Sequence, residues 1–134
     1  MVTPVAVQPV VTQHGRFTRY AWTLTATDQV AAPHRGLLGH RGEKSVDVRG
    51  AATADGFNGA TVEIHGTLDE ADTNYKLLNT VPDTVDLTYT AAATRIRPVL
   101  PNAMRIKPVV TAGTVGATGV TVVLLVTSAL SRAE

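Results

Sequence analysis

The amino-acid sequence predicts an all-β protein, a single-domain β-sandwich of the jelly-roll type with about eight strands and little helix. The composition favours strands, because 19 valines and 20 threonines stand among the 134 residues. Short alternating segments recur at spacings of about ten residues with turn signals between them, as they do in β-sandwiches. No stretch of the usual length for a helix sustains a helical period.

The overall composition narrows the class of protein. A chain of 134 residues with a formal charge of +1 fits one compact domain. A domain of this size buries roughly 68% of its unfolded surface, enough for a core without disulfides. The chain has no cysteine, which excludes a disulfide scaffold and a zinc module built on thiolates. Only 17% of the residues are charged, so we expect neither a disordered tail nor nucleic acid as a partner.

The N-terminal residues and the apolar runs carry no targeting or membrane signal. The first eleven residues lack a basic flank and are interrupted by Pro4 and Pro9, so we expect no cleaved leader. The longest apolar run, residues 120–126, is far shorter than the roughly 20 residues of a membrane-spanning helix. We therefore expect no membrane partner.

The chain divides into an extended N-terminal arm, residues 1–11, and a β-sandwich domain, residues 12–134. Two prolines in the arm remove backbone donors and push the residues before them toward extended geometry. Its valines include Val5, Val7, Val10 and Val11, and such an apolar segment left in water would be unusual. The arm either edges the domain's own sheet or adds to a neighbouring protein, and both alternatives stay open.

In the first half of the domain, three segments alternate between apolar and polar residues, as half-buried strands do. They cover residues 18–27, 45–49 and 61–65. Their inward positions are Tyr20, Trp22, Leu24 and Ala26, then Val46 and Val48, then Val62 and Ile64. Residues 31–42 and 50–59 are rich in glycine, and the second stretch contains the turn dipeptide Asp55-Gly56, so both are predicted to be loops.

The second half continues with five strand predictions, for residues 75–78, 84–90, 95–99, 104–110 and 120–126. The inward positions of the middle three are Val85, Leu87 and Tyr89, then Ile96, then Met104, Ile106 and Val110. The last segment is apolar at both alternating sets of positions. Such a strand is covered on both faces, by the core on one side and by a loop, the arm or a second subunit on the other.

Charge is unevenly distributed along the chain. Residues 1–54 carry a formal charge of +3, residues 55–86 carry −6 and residues 87–134 carry +4. The outward faces of the predicted strands in the last segment collect Arg95, Arg97, Arg105 and Lys107. Either the acidic loop at residues 69–74 meets such a basic face on another copy or another protein, or both surfaces are simply solvated.

The histidine, acidic and glycine-rich patterns give no recognisable catalytic, metal or cofactor site. His34 and His40 match no metal motif in their spacing, and residues 69–74 do not fit an EF-hand loop, so a polar turn is favoured over calcium. Glycines at 113, 116 and 119 lead into a strand, which favours a flexible strand connection over a phosphate site. No serine lies in a nucleophile elbow. We expect no enzyme activity, no cofactor and no bound metal.

Three pieces of the second half resemble the small head decoration, or cement, proteins of tailed bacteriophages. They are residues 59–69 (GATVEIHGTLD), residues 94–98 (TRIRP) and the strand beginning at residue 120 (VTVVL). The resemblance implies a jelly-roll protein made in the host cytoplasm and located on the outer surface of the virion's capsid. Its partner would be the major capsid protein, and its role would be to cement neighbouring capsomers against internal pressure.

That role gives the arm and the basic positions an expected use. Val5, Val7, Val10 and Val11 would form a strand that adds to a partner's sheet. Arg95, Arg97, Arg105 and Lys107 would form a polar contact face. Self-association is also expected, as a homodimer or alternatively a trimer.

An alternative function is a carbohydrate- or receptor-binding β-sandwich module of a phage adsorption apparatus. Modules of this kind display surface aromatic rings that stack on sugars. Trp22 and Tyr20 share the predicted core side of one strand, and the remaining aromatic residues do not cluster in sequence. An exposed Trp22 would therefore favour this alternative, and a buried Trp22 would count against it.

Overall fold

The computed structural model describes residues 5–25, 29–33, 44–51, 53–69, 71–79, 85–93, 96–99, 103 and 105–127. These ranges contain eleven β-strands and no helix. The strands are β1 (Val5–Val7), β2 (Val10–His14), β3 (Phe17–Leu24), β4 (Gln29–Ala31), β5 (Lys44–Arg49), β6 (Thr61–Thr67), β7 (Lys76–Leu77), β8 (Thr88–Tyr89), β9 (Arg97–Val99), β10 (Arg105–Ala112) and β11 (Val120–Thr127).

Nine of these strands form the two main sheets. One is an antiparallel sheet in the order β2-β3-β11-β5-β9. In the other, β6 pairs with β10 on one side and with both β7 and β8 on the other. β1 pairs with β4 in parallel, and β4 lies against β10. The molecule is therefore an all-β sandwich, as the sequence predicts.

The two main sheets combine distant parts of the chain. In the five-stranded sheet, β11 lies between β3 and β5, and β9 lies beside β5. In the other sheet, β6 lies between β10 and the short strands β7 and β8. Each main sheet thus pairs strands that are far apart in the sequence.

One hydrophobic core lies between the two sheets. Trp22 and Leu124 come from the five-stranded sheet, and Ile64 and Ile106 come from the other. All four are at most 1% exposed. Complete burial of side chains of this kind stabilises the fold by about 1.5–3 kcal/mol each relative to exposure.

The inward positions predicted for the central strands are confirmed. Tyr20, Trp22 and Leu24 are buried together on β3, and the predicted inward valines of β5 and residues of β6 are buried as well. Ala26 lies outside the described residues. The burial of Trp22 and Tyr20 means that neither ring forms the exposed stacking surface that a sugar-binding module requires.

The last strand is covered on both faces at its centre, as predicted. Val122 and Leu124 face the core, while Val123 points to the opposite side of β11 and is still only 7% exposed. Leu125, also on that side, is half-buried. The chain itself therefore covers Val123.

The predicted orientation of residues 95–99 is wrong. Ile96 is 66% exposed, whereas Val99 is buried and Arg97 is half-buried. Residues opposite each other in a ladder point to the same face, and Arg97 pairs with the buried Val46. The pairing with β5 therefore determines which side chains of this short edge strand point inward. The positions of the apolar residues within the strand do not determine it.

Of the strand predicted for residues 84–90, the structure describes residues 85–90, and there the regular strand is much shorter than expected. Leu87 is buried, but Val85 is 45% exposed, and regular pairing is confined to β8 and an isolated bridge between Asn79 and Asp86. In the neighbouring prediction, Ile106 is buried and Val110 packs against the core, whereas Met104 lies outside the described residues.

The connection at residues 113–119 is present but tightly packed rather than loose. The amide of Gly116 donates to the carbonyl of Gly56 at 2.6 Å, and the amide of Gly119 donates to that of Asp55 at 2.8 Å. A Cβ atom at Gly116 would overlap the carbonyl oxygen of Ala54. These glycines therefore permit the backbone of this loop to lie directly on the backbone of residues 50–59.

Candidate functional site

The N-terminal arm contributes to the sandwich itself. β1 pairs with β4, and the amide of Ala32 donates to the carbonyl of Val7 at 2.9 Å. Val7 is half-buried and packs against the core. Val10 and Val11 begin β2, which pairs with β3. Residues 5–7 and 10–11 are thus paired within the domain itself, and the side chains of Val5 and Ala6 lie outside what the structure describes.

β2 is an edge strand with exposed apolar side chains. It pairs with β3 on one side and ends the five-stranded sheet on the other. Val10 is 67% exposed and Val11 is 54% exposed. Natural edges are commonly protected by lysine, proline or a bulge, but the sequence of β2 is Val-Val-Thr-Gln-His. Among the residues that the structure describes, no strand covers this edge, so it is open to pairing with another extended segment.

The outer face of the five-stranded sheet continues the apolar surface of β2. Val10 lies opposite Ala21, which in turn lies opposite Val123. Further along the same face, Phe17 is 42% exposed and pairs with Thr127. The exposed edge thus adjoins a sheet face that mixes apolar residues with the charged residues Arg19, Asp47 and Arg49.

The structure divides the predicted basic face between the two sheets. Arg105 and Lys107 lie on β10, two residues apart and therefore on the same face of that strand. Arg97 lies on β9 in the other sheet, and Arg95 lies outside the described residues. Only Arg105 and Lys107 are brought together.

Lys107 is already engaged within its own chain. Its Nζ atom lies 4.3 Å from the centroid of the Tyr75 ring and 3.8 Å from Oδ1 of Asp72. The side chain of Lys107 is 17% exposed and that of Asp72 is 56% exposed. A contact between the acidic loop and the basic strand therefore exists inside one molecule.

The acidic stretch forms the predicted polar turn between β6 and β7. Oδ2 of Asp69 accepts hydrogen bonds from Oγ1 of Thr73 at 3.1 Å and from Nδ2 of Asn74 at 2.6 Å. Oγ1 of Thr67 donates to the carbonyl of Thr73 at 2.6 Å. Asn74 has a φ of 59°, which closes the turn in the left-handed region.

The described histidines contribute no metal cluster. Nε2 of His65 lies 2.8 Å from Oε1 of Glu63, and both point outward from β6. Oγ1 of Thr88 donates to the other oxygen of Glu63 at 3.4 Å. His14 is exposed, and His34 and His40 lie outside the described part of the chain. Within that part, no three His, Asp or Glu side chains come close enough to hold a metal ion.

A polar pocket lies where the chain crosses from β8 to β9. Its volume is about 260 Å³, and its lining includes Tyr89, Arg97 and the loop residues 90–93. The amide of Ala93 donates to the carbonyl of Val48 at 2.8 Å, which attaches this loop to β5. Burial raises the pKa of the Tyr89 hydroxyl, and the Arg97 guanidinium opposes that shift. The sequence pattern did not reveal this pocket, because Tyr89 and Arg97 belong to different sheets.

Among the described residues, the surfaces available for contact include the open edge of β2, the pocket of Tyr89 and Arg97, and a larger apolar pocket of about 420 Å³ beside Leu68, Leu78 and Ala103. In the ranges that the structure describes, no helix has the length and apolar character needed to cross a membrane. The sequence matches no protein-family model, and comparisons with curated proteins and with solved structures find no match.

Proposed function

We propose that this chain is a structural virion protein that binds the outer surface of an icosahedral phage capsid and cements neighbouring capsomers against internal pressure. The observation that carries the proposal is the open edge of β2, where Val10 and Val11 are exposed. An edge strand presents unpaired N–H and C=O groups along its free side, and an extended segment of a partner can add to it by main-chain hydrogen bonds.

The all-β sandwich supports the same proposal. We propose that it is a jelly roll, an architecture that recurs among viral capsid proteins, and also among lectins and cupins. The fold alone is an analogy and does not choose among these uses. The burial of Trp22 at 0% exposure gives the lectin-like use less support, because the one tryptophan is then a core residue.

The packing of the sandwich suits a mechanical role. The loop at residues 113–119 is hydrogen-bonded to residues 55–56, so the connection between β10 and β11 is fixed to that between β5 and β6. β11 lies at the centre of its sheet, with full-length pairing to β3 on one side and pairing to β5 on the other. Close-packed interiors have low compressibility and transmit strain, which a clamp between capsomers needs.

The proposed partner is the major capsid protein, and a second copy of this chain is a further contact. The apolar surface of β2 and the neighbouring outer face would meet the shell. Protein made in the host cytoplasm would add to assembled shells without a chemical step. The partner segment would run beside β2 and extend the five-stranded sheet by one strand.

The experiment is co-sedimentation of the purified chain with empty shells assembled from the capsid protein of the same genome. Wild-type protein is expected to pellet with the shells and to saturate at a fixed number of copies per capsomer. Val10→Lys places a charge on the edge and is expected to weaken binding at least about tenfold. Ala117→Lys, in the exposed loop before β11, is the matched control and is expected to bind like the wild type.

Circular dichroism and thermal melting check that both lysine variants are folded. Folded wild-type protein that stays in the supernatant at all shell concentrations would overturn the proposal. Equal loss of binding in the two variants would remove β2 as the contact edge.

A further inference from the structure

The pocket between β8 and β9 has the dimensions of a site for one functional group. Its volume is about 260 Å³, below the roughly 300–1,000 Å³ of sites that enclose whole small molecules. Thr88, Thr90, Ala91 and Ala92 are exposed at its rim. The pocket is therefore reachable from solvent and is large enough for the end of a side chain.

Tyr89 supplies a buried hydroxyl with no partner. Its ring packs against the core, and its hydroxyl oxygen is inaccessible to solvent without a hydrogen bond to any described residue. Buried polar groups are nearly always paired, so each exception calls for an explanation. Because burial raises the pKa of Tyr89, the hydroxyl keeps its proton at neutral pH and is available as a donor.

Arg97 supplies a positive charge that is not neutralised by an ion pair. It is half-buried and lines the same pocket. The ion pairs among the described residues join other partners, and the nearby Asp47 is held by Nε of Arg49 at 2.7 Å. A half-buried guanidinium beside an unpaired hydroxyl is an arrangement that an anion completes.

We propose that this pocket is a carboxylate-binding site, in which Arg97 holds the carboxylate of an Asp or Glu side chain from a protein partner and a shift of the exposed rim residues 90–92 gives that carboxylate access to the hydroxyl of Tyr89. The guanidinium fork matches the two oxygens of a carboxylate. The single positive charge of Arg97 suits a monoanion better than a phosphate dianion. The carboxylate of Asp47 is close enough to influence Tyr89, and it would repel a dianion more strongly than a monoanion.

The inference rests on the proposed function only for the identity of the partner, which would be the capsid protein. The pocket chemistry is tested without shells. Acetate serves as the probe and is titrated against isotopically labelled protein at constant ionic strength, with chloride and inorganic phosphate in parallel. The reporters are the backbone amides of residues 88–93 and the Nε–Hε signal of Arg97.

Acetate is expected to cause saturable shifts confined to these reporters, while chloride causes none. Arg97→Met is expected to abolish the saturable shifts, and Arg97→Lys to weaken acetate binding about tenfold, because it loses the fork. Tyr89→Phe is expected to weaken binding several-fold and at the same time to raise the melting temperature, since it removes a buried hydroxyl without a partner. Arg105→Met is the matched control and leaves the titration unchanged.

Three results would overturn the proposal: identical titrations for the wild type and Tyr89→Phe, equal responses to acetate and chloride, or tighter binding of phosphate than of acetate. Retained acetate binding without binding to shells would overturn the proposed function and leave the site standing. Shell binding without acetate binding would overturn the carboxylate site and leave the proposed function standing.

Discussion

The indole Nε1 of Trp22 donates a hydrogen bond of 2.6 Å to the carbonyl oxygen of Ala32. This bond joins the middle of β3 to the residue that follows β4, and so attaches the β1/β4 pair to the five-stranded sheet. The indole ring itself is 0% exposed and lies 6.3 Å from the ring of Tyr20, centroid to centroid. Among the described residues, Trp22 is therefore the largest fully buried side chain, and it also makes a specific polar contact.

Replacing this tryptophan tests its structural role. Trp22→Phe keeps an aromatic ring but leaves the carbonyl of Ala32 without its donor, and we expect it to lower the free energy of unfolding by about 1–3 kcal/mol. Trp22→Ala is expected to lower it by about 3–5 kcal/mol. Urea unfolding measures both, with the exposed Gln13→Ala expected to change it by less than about 0.5 kcal/mol. A stable, folded Trp22→Ala protein would show that the ring is not a core residue.

Two glycines with positive φ allow the destabilising effect of backbone strain to be measured separately from that of close packing. Gly15 has a φ of 59° with open space around its Cα, whereas Gly119 has a φ of 85° and lies against the carbonyl oxygen of Leu24. Alanine at either position is strained by about 1–2 kcal/mol. At Gly119 it must also displace β3, so we expect a further loss of about 1–3 kcal/mol. Thermal unfolding of Gly15→Ala and Gly119→Ala gives the comparison, and equal losses would show that the loop does not pack as described.

The contacts of Lys107 are expected to be unequal in strength. Asp72→Ala removes an ion pair at 3.8 Å with an exposed carboxylate, and we expect it to change the free energy of unfolding by less than about 0.5 kcal/mol. Lys107→Ala also removes the contact with Tyr75 and is expected to cost about 1 kcal/mol. Urea unfolding at low and high salt checks this, because only the ion pair is strongly screened. A larger loss for Asp72→Ala would mean that the ion pair dominates.

Lys44 makes the free energy of unfolding depend on pH in the alkaline range. Its side chain points inward, opposite Val99 and Val126, and it is 3% exposed. Burial lowers the pKa of Lys44 below 10.5, so between the folded pKa and 10.5 the unfolded chain binds more protons. The free energy of unfolding therefore rises with pH in that window.

Lys44→Met is expected to lack this alkaline rise, while Lys76→Met, at an exposed position of β7, retains it. Burial raises the pKa of both Tyr20 and Tyr89 above 10.0. Above about pH 10 their unfolded forms lose protons first, which lowers the stability again. Urea unfolding from neutral pH to about pH 10 isolates the lysine, and an unchanged rise in Lys44→Met would contradict this assignment.

The central strands were predictable because one face of each is buried. Tyr20, Trp22 and Leu24, like Val46 and Val48, alternate with polar residues over a length that only a half-buried strand explains. For β11, the apolar residues at both sets of positions also predicted burial on both sides. For a central strand, the pattern of apolar and polar residues therefore indicates which of its faces are buried.

The edges and the pocket were not predictable in the same way. Arg97 points inward because β9 is paired with β5, a relationship that its own residues do not encode. The pairing of β1 with β4 joins residues that are far apart in sequence, and no local pattern specifies it. The polar pocket needs Tyr89 from one sheet and Arg97 from the other. Such features depend on tertiary structure alone.

The central claim is that the free edge of β2 is covered when the protein binds its shell. Hydrogen exchange of the amides of residues 10–14, in free and shell-bound protein, tests it most directly. We predict that these amides exchange substantially more slowly in the bound protein, because a partner strand pairs with the open side of β2. Unchanged exchange at β2 in fully bound protein, with slower exchange elsewhere, would contradict the claim.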